Sequence, residues 1–95
     1  MLKTTKTERG FDISNFIDSN GVACSLQKSS AAQDDFVWLG CDGPNPQIFV
    51  PNGNPSWREY PLPAEVLCTT RMHLSREQVS ALLPSLQRFV ETGEL

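Results

Sequence analysis

Six of the seven prolines in this 95-residue chain fall between positions 44 and 63: Pro44, Pro46, Pro51, Pro55, Pro61 and Pro63. Proline lacks a backbone donor and fixes φ, so long strands are excluded from that stretch. Within the stretch, Ile48-Phe49-Val50 is expected as a short edge strand and Asn52-Gly53-Asn54 as a turn. Trp57 and Tyr60 ride on this stiffened segment and either cover one end of the core or stand displayed. A proline-stiffened loop loses less entropy on binding than a floppy one, which makes both aromatics candidate ligand contacts.

On the N-terminal side, Asn20-Gly21 is the strongest short hairpin signal. A two-residue turn there pairs Ser19 with Val22, Asp18 with Ala23 and Ile17 with Cys24. Ile13, Ile17, Val22 and Cys24 then form the apolar set. Asp12, Ser14, Asp18, Ala23, Ser25 and Gln27 form the polar one, with Phe16 as an exception. Residues 29–35 are small and polar and read as a loop, with room for one helical turn. Phe36-Val37-Trp38-Leu39-Gly40 is apolar on both faces and reads as an internal strand. On the C-terminal side, residues 65–74 alternate: Val66, Cys68, Met72 and Leu74 against Leu67, Thr69, Arg71 and His73.

The best-marked element is a C-terminal helix. Ser75 and Gln78 have the spacing of a capping box, and Leu74 and Val79 that of a hydrophobic staple. Val79, Leu82, Leu83, Leu86, Phe89 and Val90 recur at helical spacing, and Gly93 sits where a left-handed cap would end the helix. Pro84 interrupts this pattern and predicts a kink or break. The expected architecture is α+β: a small, mainly antiparallel sheet of three to four strands with the helix packed on one face. Residues 11–95 form one domain behind a flexible basic tail, residues 1–10.

The tail carries three basic side chains and one acidic one. The rest carries five basic and ten acidic ones, for a net charge of −3 overall. An acidic body does not suit direct DNA binding, which needs a basic face to displace counterions. No apolar run can span a membrane and no signal peptide is recognised, so a cytoplasmic location, in the cell that makes the protein, is expected. Cys24, Cys41 and Cys68 are odd in number and widely spaced, which argues for reduced, buried thiols. A metal site using them with His73 lacks the close ligand pair that zinc sites show, and no cofactor is expected.

No phosphate loop, nucleophile elbow or other enzyme motif is present, and the chain reads as a binding protein rather than an enzyme. Arg71 and His73 share a strand face just ahead of the helix start, a suitable place for a phosphate or carboxylate. Gln27, Ser29 and Ser30 end the hairpin with three hydrogen-bonding side chains, suited to reading a ligand's polar edge or to capping a turn. The candidate ligand contacts are therefore Arg71, His73, Gln27, Ser29, Ser30, Trp57 and Tyr60. Self-association is also expected, from the short chain and the edge at residues 48–50.

Cys24-Ser25-Leu26-Gln27 with Ser29-Ser30, then Trp38-Leu39-Gly40, then Arg71-Met72-His73-Leu74 and the tail REQVSALLPSLQRFVETGEL together resemble small hypothetical proteins encoded by bacteriophages and prophages. The resemblance covers most of residues 11–95; residues 42–56 depart from it. It implies a phage accessory gene, a class that often blocks a host defence. Three functions are in view: a counter-defence protein that sequesters a small nucleotide-like ligand without turnover, an inhibitor that docks its acidic body on a host defence protein, and a small cysteine-dependent enzyme.

Overall fold

The computed structural model describes residues 2–30 and 34–95. Seven strands precede one helix: β1 (Lys3–Lys6), β2 (Asp12–Ile17), β3 (Ala23–Lys28), β4 (Phe36–Cys41), β5 (Gln47–Val50), β6 (Ser56–Glu59), β7 (Arg71–Ser75) and α1 (Arg76–Thr92). Five of the strands form an antiparallel sheet in the order β1-β2-β3-β4-β7, and β5 pairs only with β6. The α+β class is therefore as expected, with a larger sheet. The extra strand comes from the basic N-terminal segment: residues 3–6 were expected in a tail, and instead pair with Asn15 through Asp12. The expected helical turn in residues 29–35 falls partly on positions 31–33, outside the described residues.

The β2–β3 hairpin differs from expectation by one residue, and the cause is local. Asp18 Oδ1 accepts hydrogen bonds from the backbone N–H groups of Asn20 and Val22, each at 2.9 Å. The Gly21 N–H donates to the Asp18 carbonyl at 3.0 Å, and Gly21 takes φ +83° while Asn20 keeps a negative φ. This is a three-residue loop closed by a left-handed glycine, not a two-residue turn with two positive φ angles. Ile17 consequently pairs with Ala23, and Phe16 with Cys24. A slip of one residue exchanges the faces. Phe16 joins the apolar set, while Ile13 and Ile17 lie on the face of Ser25 and Gln27.

β4 is internal, as its two-sided apolar character predicts, lying between β3 and β7. β7 is shorter than the alternation suggests. The Val66 N–H is turned onto the Pro63 carbonyl, and the ladder to β4 closes where the Cys41 N–H meets the Thr70 carbonyl. Cys68 therefore lies outside the strand and is exposed, while Cys24 is buried and Cys41 half-buried. The proline-rich stretch forms the hairpin β5–β6 around Gly53, at φ +73°. Ile48-Phe49-Val50 is its first strand and Asn52-Gly53-Asn54 its turn.

The helix is capped at both ends. Gln78 N–H donates to Ser75 Oγ and Ser75 N–H to Gln78 Oε1, the two halves of the capping box. Gly93, at φ +76°, donates its N–H to the Phe89 carbonyl. Between the caps the helix is unbroken across Pro84. An interior proline costs about 3 kcal/mol relative to alanine, and the helix runs on through it nonetheless. The expected packing of the helix across a sheet face is not found. Ser75 is both the last residue of β7 and the N-cap, so the helix leaves the sheet without a connector. Its main contact with the sheet is at β7, and none of its side chains is buried. No helix among the described residues is long and apolar enough to cross a membrane.

Candidate ligand-binding site

Pairing in the sheet lines up two rungs that cross all five strands. One runs Lys3, Asn15, Ser25, Gly40, Arg71; the other runs Thr5, Ile13, Gln27, Trp38, His73. Partners across a ladder share a face. Arg71 and His73 therefore stand on the face of Gln27 and Ser25, with Trp38 between. The three segments CSLQ, WLG and RMHL, far apart in sequence, lie on adjacent strands β3, β4 and β7 and converge there.

Gly40 makes the cluster possible. It occupies the β4 position between Ser25 and Arg71, at φ +149°. A Cβ there would lie 2.6 Å from the Thr70 carbonyl oxygen and 2.9 Å from the Arg71 Cα, so only glycine fits. With no side chain in the way, Arg71 reaches over β4 to β3. Its Nη1 donates to Gln27 Oε1 at 2.7 Å and lies 3.5 Å from Ser25 Oγ. Ser25, almost fully buried, donates in turn to Asp42 Oδ1 at 2.6 Å. The guanidinium also stands 5.5 Å from the centroid of the Trp38 ring.

No carboxylate forms an ion pair with Arg71 among the described residues; the nearest acid in its network, Asp42, is one hydroxyl away. Neutral partners fix the guanidinium while leaving its charge uncompensated, a condition favourable to anion recognition.

His73 sits between two aromatic rings. It stacks on Trp38 at a centroid distance of 4.0 Å and on Phe36 at 4.6 Å, and its Nε2 shares a 3.0 Å hydrogen bond with Ser29 Oγ. That hydrogen bond has the length of a base–nucleophile pair, but Ser29 is only 5% exposed. Neither can Cys41 act with His73. Cys41 faces the other side of β4, where its sulfur lies 3.9 Å from that of Cys24. Desolvation first, and Cys41 second, push the Cys24 thiol up from its ordinary value, the reverse of nucleophile activation. Among the described residues no group of His, Cys, Asp and Glu could hold a metal.

Phe36 and Ser29 also line a cavity of about 650 Å³ at the start of the helix. Ser30, Lys28, Ser75 and Arg76 contribute to its walls, as do the acidic Asp34, Asp35 and Glu77. Lys28 pairs with Asp35 at 2.7 Å, and Arg76 approaches the same carboxylate at 3.6 Å. The Lys28 hydrogen bond, then its charge, hold the Asp35 carboxyl below the usual aspartate value, with Arg76 adding to the effect. The aromatic row and the cavity thus form one continuous surface through Phe36.

Of the seven candidate contacts, five belong to this surface: Arg71, His73, Gln27, Ser29 and Ser30. The other two do not. Trp57 and Tyr60 stand on the β5–β6 hairpin, 66% and 54% exposed. Trp57 packs on Phe49 at 5.4 Å, and no hydrogen bond or ring contact among the described residues joins either aromatic to Arg71 or His73. Sequence reasoning passed over Phe36, Trp38 and Asp42. Trp38 and Phe36 were legible as strand residues at i and i+2, hence on one face; that this face is also the one of Arg71 required the register. No family model, no curated protein and no solved structure matches this chain.

Proposed function

We propose that this chain is a binding protein that holds a small nucleotide-like ligand on the β3–β4–β7 face without turning it over. The carrying observation is Arg71, fixed by neutral partners beside the Phe36–His73–Trp38 row, which opens into a cavity large enough for such a ligand. The aromatic face of Phe36 offers a stacking surface for a base, and Arg71 offers a charge for a phosphate. Ser30 adds a hydroxyl along the cavity wall, where Lys28 and Arg76 stand among Asp34, Asp35 and Glu77. The buried Ser29 hydroxyl and the raised Cys24 thiol favour retention over chemistry. The resemblance to phage proteins supplies the setting: withholding a host defence signal in the cytosol of the infected cell. The working form is a homo-oligomer, in keeping with the exposed apolar surfaces of the single chain.

Calorimetry against a panel of cyclic and linear nucleotides tests this reading. At least one should bind with unchanged recovery of the ligand. Arg71→Ala should weaken it by tenfold or more, since a hydrogen bond to a charged group contributes about 1.5–3 kcal/mol. Arg71→Lys should restore only part, because the planar guanidinium and its bond to Gln27 are lost. Absence of heat with every nucleotide would sink the proposal.

A further inference from the structure

The single chain has scarcely any core. Among its described apolar side chains only Cys24 is fully buried. Its accessible surface is 7877 Å², where a compact chain of its mass exposes about 5,500 Å². Its radius of gyration is 16.9 Å, against about 12 Å for a compact domain of this length. A standard interface covers roughly 800 Å² on each partner. The excess is nearer about 2,400 Å² per chain, the range of obligate assemblies rather than passing encounters.

Besides Ile48, Phe49, Trp57, Tyr60 and Leu67, on the β5–β6 hairpin and the segment after it, two surfaces carry much of the apolar part of this excess. One is the stripe of α1: Leu82, Leu83, Leu86, Phe89 and Val90 are between 43% and 77% exposed. The other is the sheet face opposite Arg71 and His73. There Leu26, Leu39 and Met72 share a rung, Phe16 lies beside them, and Leu2, Phe16, Leu26 and Leu39 line an apolar depression of about 370 Å³. The two surfaces match in size. A 17-residue helix is about 25 Å long, and five strands placed side by side span about 20 Å.

They cannot meet within one chain. α1 follows β7 with Ser75 as the junction and no connector in which the chain could turn back. An isolated helix of this length is marginal in water, and Pro84 weakens it further, so α1 needs a packing partner. Helix against helix would leave the sheet face bare. Helix against a neighbour's sheet covers both surfaces with a single symmetry operation.

We propose that α1 of one copy lies across the apolar sheet face of a second copy, reciprocally about a two-fold axis. This rests on the self-association stated above and is independent of the ligand. The face of Arg71 and His73 stays outward in this arrangement, one site per chain.

Sedimentation velocity of the full chain at micromolar concentration should give an even-numbered assembly. The contact itself is read by cross-linking. Chain carrying Leu86→p-benzoylphenylalanine is co-refolded with isotopically labelled wild-type chain and irradiated. Cross-linked peptides should join position 86 of the unlabelled chain to β2, β3 or β4 of the labelled one. A folded monomer would overturn the proposal. So would cross-links confined to one chain, or found only between two helices. Calorimetry on the same sample keeps the ligand reading separate, because loss of nucleotide binding leaves the cross-link pattern unchanged.

Discussion

The molecule carries two aromatic clusters of similar composition in different settings. Phe36, Trp38 and His73 lie on an internal strand and its neighbour, with hydrogen-bonded partners on β3 and a glycine that lets Arg71 cross over them. Phe49, Trp57 and Tyr60 lie on a two-stranded hairpin that pairs with nothing else. In the first cluster each ring is fixed by at least two strands. In the second, one tilted contact between Phe49 and Trp57 is the only ring packing. A two-stranded hairpin is marginal alone, and three or more strands are needed for independent stability. A preorganised site therefore belongs to the large sheet, and the prolines of the hairpin cannot substitute for missing neighbours.

The largest expected effect comes from breaking the first cluster at its hinge point. Gly40→Ala places a Cβ against the Thr70 carbonyl in a backbone region that side chains avoid. A loss on the order of 2–3 kcal/mol is expected in urea denaturation, with Arg71 displaced from Gln27. A melt indistinguishable from wild type would show that β7 can shift freely and that the cluster is not rigid. The two clusters can then be compared directly. His73→Ala removes two ring stacks and a hydrogen bond, and should cost about 1–2 kcal/mol. Trp57→Ala should stay within about 0.5 kcal/mol, as for an ordinary exposed position. Equal losses in the two variants would erase the distinction drawn here.

The smallest effect concerns the ion pair beside the cavity. Asp35 has its folded pKa depressed, chiefly by Lys28. Its contribution to stability is therefore present above the ordinary aspartate value and is lost as the pH falls through the lower, folded value. Both side chains are well exposed, so the contribution is small and screened by salt. Lys28→Ala should raise the Asp35 titration midpoint, followed by NMR of the carboxyl carbon, without moving the overall melt at neutral pH. An unchanged midpoint would mean that Lys28 does not hold Asp35 in solution.

Local chemistry was legible from the residues. The capping box at Ser75 and Gln78, the left-handed Gly93, the internal strand at 36–40 and the turn at Asn52-Gly53-Asn54 all depend on side chains acting within a few positions of themselves. So does the pairing of Arg71 with His73 on one strand face. Where a local signal had a rival, the reading went astray: Asn20-Gly21 suggests a two-residue turn, but the Asp18 carboxylate two residues earlier captures two backbone N–H groups and lengthens the loop. That single added residue exchanged the faces that Phe16 and Ile17 take relative to β3.

What lay beyond the sequence was every relation between distant segments. Nothing in residues 1–10 announced a strand, because an edge strand draws its stability from its neighbour and not from its own apolar pattern. Nothing in Phe36 or Trp38 marked them as companions of His73, since that depends on a register set jointly by three strands. The sequence also could not show that the helix would leave its sheet. Its stripe states only that some apolar surface should cover it, and with β7 and α1 abutting at Ser75 that stripe stays exposed in the single chain. Side-chain chemistry acts at short range and is written locally; which segments become neighbours is decided by chain geometry, and here the meeting of Arg71, Trp38 and His73 on one face depended on that geometry.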